Sequence, residues 1–257
     1  MLPTPDMLEG RPVPNVNFKV RRDGRWEDLT SDEVFANRTV VAFGLPGAFT
    51  PTCSNSHLPR YNELAPAFRA CGVDAIACIS VNDAFVMEQW QRDQHADAVR
   101  MIPDGNGEFT RGLELLVDKS DKGLGQRSWR YSMLVKNSII QKVFIEPESD
   151  GDPFEVSDAD TMLHYLDAGA RPPPSIALFG KRGCPFCARA RRHLDEHGYA
   201  YAELLLGEDY DVRTLRAVSG ETTTPQVFVD GRLIGNGDAL EVWIERLEPE
   251  ARVLEPA

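Results

Sequence analysis

Residues 39–53 read Thr-Val-Val-Ala-Phe-Gly-Leu-Pro-Gly-Ala-Phe-Thr-Pro-Thr-Cys. The run Thr39 to Leu45 is apolar and β-rich without alternation, the pattern of a strand buried on both faces of a sheet. Pro46 and Gly47 interrupt it. Leu58, Tyr61, Leu64 and Phe68 then recur at helical spacing, and Gly72 ends the segment. The stretch is a strand, a loop and a helix, with Cys53 at the start of the helix. A thiol there faces the unsatisfied N–H groups and positive dipole end of the helix, which favour the reactive thiolate. The Thr50 hydroxyl is expected near the sulfur.

The alternation continues outward. Asp74 to Val81 reads as another buried strand and Ala84 to His95 as a helix. Tyr131 to Val135 and Ile139 to Ile145 flank Lys136-Asn137-Ser138, a hairpin signal. Asp158 to Asp167 reads as a closing helix with Ser157 or Asp158 as its N-cap. Gly169-Ala170-Arg171-Pro172-Pro173-Pro174-Ser175 cannot continue a helix and reads as an extended connector. Beyond it come a strand (176–179), a helix (185–197) stopped by Gly198, a strand (201–206) and a helix (210–219) stopped by Gly220. Strands over 226–229 and 232–234 flank the turn pair Asp230-Gly231, and Asp238 is expected to cap a last helix through Leu247. The pattern predicts an α/β chain with a domain over 1–168, a Pro-rich linker over 169–175 and a small thioredoxin-type sandwich over 176–257.

Composition narrows the function. The formal net charge of −12 repels a phosphate backbone and argues against nucleic acid. No apolar run approaches the roughly 20 residues that span a bilayer, so no membrane partner is expected. The opening MLPTPDMLEGRPVPNVNF lacks a basic start followed by an apolar stretch, and a cytoplasmic location is expected. The five cysteines are Cys53, Cys71, Cys78, Cys184 and Cys187. An odd count without an export signal argues against a disulfide framework and for packing or working thiols. Cys78, inside an apolar strand, reads as a packing residue.

The octapeptide Pro46–Cys53 has the form P-x-x-x-T-x-x-C and resembles the active-site signature of peroxiredoxins. His57-Leu58-Pro59 and Ser80-Val81-Asn82-Asp83-Ala84-Phe85 resemble the type II subgroup, and the similarity runs over roughly residues 10–166. The resemblance implies that Cys53 is the peroxidatic cysteine, with Thr50 and Pro46 in its pocket. It assigns the catalytic arginine to Arg130 in Arg127-Ser-Trp-Arg-Tyr-Ser132, with Arg127 as its neighbour. Thiolate attack on one peroxide oxygen leaves negative charge on the other, which Thr50, Arg130 and backbone N–H groups would bind. Some type II relatives carry a resolving cysteine near the end of this domain. Phe154-Glu155-Val156-Ser157 holds none here. The subgroup commonly dimerises, so a homodimer or homotetramer is expected.

The second chemical motif is Cys184-Pro185-Phe186-Cys187, after a strand and opening a helix. Alone, C-x-x-C is also half of a zinc site, but no second Cys or His pair at zinc spacing accompanies it. Lys181, Arg182 and Arg189 add positive charge nearby. Together with Thr222-Thr223-Thr224-Pro225-Gln226-Val227-Phe228 and Gly235-Asn236-Gly237-Asp238-Ala239-Leu240, the motif resembles glutaredoxin over roughly residues 175–248. The resemblance implies a cis Pro225 facing Cys184 and a Thr224 backbone that pairs with glutathione's cysteine. It implies γ-glutamyl carboxylate binding by the Gly237 and Asp238 N–H groups, and glycyl carboxylate binding by Lys181 and Arg213. Asn236 stands where glutaredoxins commonly have glycine.

Both resemblances imply thioredoxin-like domains, each a central mixed sheet flanked by helices. They imply a glutathione-dependent peroxidase acting on hydrogen peroxide and organic hydroperoxides through a Cys53 sulfenic acid. Recycling would run through glutathionylation and Cys184, with Cys187 available to clear it. No metal and no tightly bound cofactor is expected; glutathione is the reducing co-substrate, regenerated indirectly by glutathione reductase. The alternatives are a peroxide sensor or relay, a general disulfide or deglutathionylating reductase, and a chaperone-like assembly.

Overall fold

The computed structural model describes residues 2–22, 24–149, 151–170 and 172–251. Arg171 of the expected linker and residues 252–257 of the expected second domain lie outside the described residues. The chain forms two compact units, Met1–Pro172 and Pro173–Ala257.

In the first unit β1 (Asn17–Arg22) and β2 (Arg25–Thr30) pair antiparallel. The main sheet comprises β3 (Thr39–Leu45), β4 (Ala75–Ser80) and β5 (Val99–Pro103). Beyond the short pair β6 (Leu116–Asp118) and β7 (Gln126–Ser128), β8 (Tyr131–Lys136) and β9 (Ile139–Ile145) complete it. Its order is β5-β4-β3-β8-β9, parallel from β5 to β3 and antiparallel from β3 to β9. This is a mixed sheet with β3 at its centre. Val40 and Ala42 of β3 pack into one apolar cluster, while Val41, Phe43 and Leu45 pack into another with Tyr61, Phe68 and Trp90. The unalternating apolar run thus serves two cores, one per face. Gly44 is required by this packing, because a Cβ there would lie 2.1 Å from Cε1 of Tyr131. The β8–β9 turn uses Asn137 and Ser138, both left-handed at φ 47° and 62°. That is the backbone twist a two-residue hairpin needs.

The segment after Cys53 departs from the single helix expected to run to Gly72. It opens with a π-helical turn, Cys53–His57, and continues as Leu58–Glu63 and Ala65–Ala70 with a break at Leu64. Two interior prolines explain this. Pro59 and Pro66 have no N–H for the carbonyl four residues back, and their rings crowd it. The widened turn, closed by Leu58 N–H to the Cys53 carbonyl, absorbs the first conflict. The break at Leu64 absorbs the second.

In the second unit the sheet order is β11-β10-β12-β13, from β10 (Ile176–Gly180), β11 (Tyr201–Leu205), β12 (Gln226–Val229) and β13 (Arg232–Gly235). β10 and β11 are parallel and the other pairs antiparallel, so this sheet is also mixed. Its core joins Ile176, Leu178, Val227 and Val229 to Ala190 and Leu194 of the helix Pro185–Glu196 and Leu240 and Ile244 of the helix Gly237–Ala251. The expected Asp238 cap is corrected. The Asn236 side chain accepts from the Asp238 and Ala239 N–H groups, 3.1 Å each, so Asn236 is the cap. Asp238 sits in the first turn, its carboxylate paired with Arg189.

Candidate active site

Cys53 is fully buried at the start of the π-helical turn. Arg130, only 1% exposed, precedes β8 and points its guanidinium at the same place. Its Nη1 lies 3.5 Å from Cys53 Sγ and 3.0 Å from His57 Nδ1. Its Nη2 donates to both carboxylate oxygens of Asp152, at 2.5 and 2.6 Å. Phe154 packs against the guanidinium, 5.4 Å from the ring centroid. The widened turn brings Cys53 and His57 to the same guanidinium nitrogen.

The protonation states follow from the partners. His57 Nε2 faces the Ser157 carbonyl at 3.1 Å, which can only accept, and Nδ1 faces Arg130, which can only donate. The imidazole is therefore neutral with its proton on Nε2. Burial, and then the Arg130 charge, hold the His57 pKa well below its ordinary value. Burial works against the Arg130 charge, but Cys53 and Asp152 outweigh it and raise its pKa. Burial pushes the Cys78 thiol well up, which makes it a neutral packing group in the apolar cluster that also holds Phe43 and Tyr61.

The other residues of the first site tie its loops together. The Thr50 hydroxyl donates to the Gly47 carbonyl, 2.9 Å away, so its proton tightens the Pro46–Thr50 loop. Arg127 Nη1 donates to the Val81 carbonyl at 2.6 Å and braces the neighbouring loop rather than Arg130. Asn82 Oδ1 accepts from the Ala48 N–H at 3.0 Å and from Ser80 Oγ at 2.7 Å, which ties the Pro46–Thr50 loop to the end of β4. Sequence reasoning missed Asp152, and it noticed His57 only as part of a motif.

In the second unit Cys184 is the N-cap of the helix Pro185–Glu196. Its Sγ accepts from the Cys187 N–H at 3.3 Å and lies 3.9 Å from the Thr224 carbonyl. The Thr224–Pro225 peptide is cis. Burial works to raise the Cys184 pKa. Hydrogen bonds from the Cys187 thiol and from the Cys187 and Phe186 N–H groups, together with Thr224, outweigh it and bring the thiol below its ordinary value. Cys187 is fully buried, and burial followed by Cys184 pushes its thiol up. The pair is divided into a partly exposed nucleophile and a protonated neighbour.

Around Cys184, a Cβ at Gly237 would lie 3.7 Å from Pro225 Cγ and 3.8 Å from the Phe186 carbonyl. The CPFC turn, Pro225 and the Gly237 turn therefore converge. Lys181 and Arg213 are exposed. Two of the cations expected to act on Cys184 are engaged elsewhere: Arg182 with Glu208, and Arg189 with Asp238 and Glu241.

Comparison with known proteins agrees with this division. The Redoxin family profile matches residues 8–163 and the Glutaredoxin profile residues 176–234. The chain is 56% identical over 236 residues to hybrid peroxiredoxin hyPrx5 of Haemophilus influenzae, covering 92% of this chain and 98% of that protein. It is 56% identical over 173 residues to peroxiredoxin sll1621 of Synechocystis, covering 62% of this chain and 92% of that one. Among solved structures, reduced Prx3 of Vibrio vulnificus in complex with hydrogen peroxide matches with a TM-score of 0.58 and 41% identity. That match covers 62% of this chain and 98% of the Vibrio chain.

Proposed function

The chain belongs to the peroxiredoxin family, in the form that carries a fused glutaredoxin domain, and we propose that it is a cytoplasmic peroxidase driven by glutathione. A thiol-dependent peroxidase of this family needs no tightly bound cofactor. The proposal concerns the reductant, the substrates and the roles of the residues.

The observation that carries the reading is the 3.5 Å approach of the Arg130 guanidinium to the buried Cys53 sulfur. The Cys53 thiolate attacks one oxygen of hydrogen peroxide or an organic hydroperoxide. The O–O bond breaks, the sulfur is oxidised to sulfenic acid, and water or an alcohol leaves. Arg130 holds the charge that grows on the departing oxygen, and the Pro46–Thr50 loop shapes the pocket. Glutathione condenses with the sulfenic acid and releases water, leaving a mixed disulfide on Cys53. The Cys184 thiolate attacks the glutathione sulfur and frees Cys53. A second glutathione takes the glutathione from Cys184 as glutathione disulfide. The absence of cysteine from Phe154–Ser157 supports an external thiol as the resolving group. The lowered Cys184 and raised Cys187 thiols support the order of attack. Fusion raises the concentration of one site at the other, and the five free cysteines suit a reducing compartment. The active species is a homo-oligomer.

The direct test is peroxide-dependent NADPH oxidation by the full chain with glutathione and glutathione reductase. Sustained turnover is expected. Oxidation that stalls after one equivalent with glutathione present would replace this reading with a relay.

The Asn236 cap bears on glutathione affinity. Its carboxamide holds the Asp238 N–H that an incoming γ-glutamyl carboxylate would use. Asn236→Gly frees that donor, and the half-saturating glutathione concentration is expected to fall roughly fivefold, the value of about one net hydrogen bond. Steady-state turnover against glutathione concentration reads this directly, and an unchanged or higher concentration would contradict it.

A further inference from the structure

We propose that Asp152 is the positioning residue of the peroxide site: its carboxylate grips Nη2 of Arg130 and so sets which edge of the guanidinium faces Cys53. An arginine stem is long and flexible, and a planar fork is fixed only when more than one edge is held. Here Nη1 serves the sulfur and His57 Nδ1, while Nη2 serves both oxygens of Asp152. Arg130 Nε is buried without a hydrogen-bond partner. With Asp152 removed, Nη2 loses its carboxylate, and the fork is left to the sulfur and one neutral imidazole nitrogen at Nη1 and to the Phe154 ring.

The anchor is itself built in. Asp152 lies just before Glu155, Val156 and Ser157, whose N–H groups all donate to the buried Glu146 carboxylate at 2.8 to 3.0 Å. The Ser157 hydroxyl adds a fourth bond at 2.7 Å. The Ser157 carbonyl in turn holds His57 Nε2 and the Tyr61 hydroxyl, at 3.1 and 3.0 Å. His57 and Asp152, two of the groups that hold Arg130, therefore depend on one clamped segment.

Charge makes the proposal testable. The titratable groups around the sulfur include Arg130, Asp152, His57, Cys78 and Tyr61, of which burial keeps His57, Cys78 and Tyr61 neutral. Asp152 and the Cys53 sulfur share one guanidinium, so a carboxylate acting by charge alone would compete with the sulfur for it. If charge were its only contribution, removing it would leave more of the Arg130 charge to the reacting sulfur and peroxide and speed oxidation. Positioning predicts the opposite.

The experiment is single-turnover oxidation of the full chain by hydrogen peroxide without glutathione, followed across pH by tryptophan fluorescence. Trp90 serves as reporter, because its Nε1 donates to Ser54 Oγ at 3.0 Å, next to Cys53. Asp152→Ala is expected to slow the reaction roughly 10- to 100-fold, with the midpoint of the pH profile unchanged or lower. Asp152→Asn, which keeps one acceptor, should recover part of the rate with a similar midpoint. A rate within threefold of wild type, or a faster one, would overturn the proposal, as would a loss of rate with a raised midpoint. The inference rests on the assignment of Cys53 and Arg130 to the peroxide step. A wild-type chain inert to peroxide would remove both readings, whereas a reactive wild type with an unaffected Asp152→Ala removes this one alone.

Discussion

Cys53→Ser is expected to abolish peroxide turnover, and Arg130→Ala to keep the thiol but slow its oxidation about 10³-fold, the upper range for losing a preorganised donor to a developing negative charge. The first effect follows from electron count, because no serine hydroxyl can take the peroxide oxygen as a reducing sulfur does. The second follows from burial. Arg130 is 1% exposed, so no water stands ready to replace Nη1 at the sulfur. Arg130→Lys should rescue little, since a point charge cannot reach Cys53, His57 and both oxygens of Asp152 at once. Stopped-flow oxidation without glutathione isolates this step. The Arg130 variant should be compared at a temperature where circular dichroism shows it folded, because the change strands the buried His57 Nδ1 at about 1–3 kcal/mol. A rate for Arg130→Ala within tenfold of wild type would mean that other groups carry the charge.

What could be read from the sequence was what is encoded locally. Thr39 to Leu45 announces a doubly buried strand because seven neighbouring residues settle the matter among themselves. Cys53 and Cys184 are legible because each lies at a strand–helix junction within a few residues of its own signal. The partners of Arg130 are not local. His57 lies 73 residues before it, and Asp152 lies 22 residues after it, in a segment placed by the Glu146 clamp. Nothing near Asp152 in the chain distinguishes it from a solvated turn carboxylate. The π-helical turn had a readable cue in Pro59, whose missing N–H forbids an even helix through the segment. The cap at Asn236 also had one, since Asn is a strong N-cap and Asp238 was a competitor only two residues on.

Cys184→Ser is expected to remove glutathione-supported turnover while leaving a single oxidation of Cys53 intact, and Cys187→Ser to retain turnover. The two cysteines differ because the helix Pro185–Glu196 treats them differently. Cys184 stands at its open N-terminus, partly exposed, and accepts hydrogen bonds that favour the thiolate. Cys187 is one turn in, without solvent, and is held protonated by burial. A lowered thiol is charged over a wider pH range, so Cys184 should remain reactive toward iodoacetamide at a pH where Cys187 does not react. In the proposed cycle, Cys184 is the second-unit sulfur with both the charge and the access to take glutathione from Cys53. A second glutathione can then clear it without Cys187. Peroxide consumption coupled to glutathione reductase, paired with mass measurement of the adduct, separates the outcomes. Cys187→Ser should accumulate or turn over a glutathione adduct on Cys184, and Cys184→Ser should accumulate one on Cys53. If Cys187→Ser instead stops turnover, the Cys184 adduct must be cleared through an internal disulfide, and the monothiol cycle is wrong. If Cys184→Ser turns over normally, glutathione recycles Cys53 unaided, and the second unit serves other disulfides.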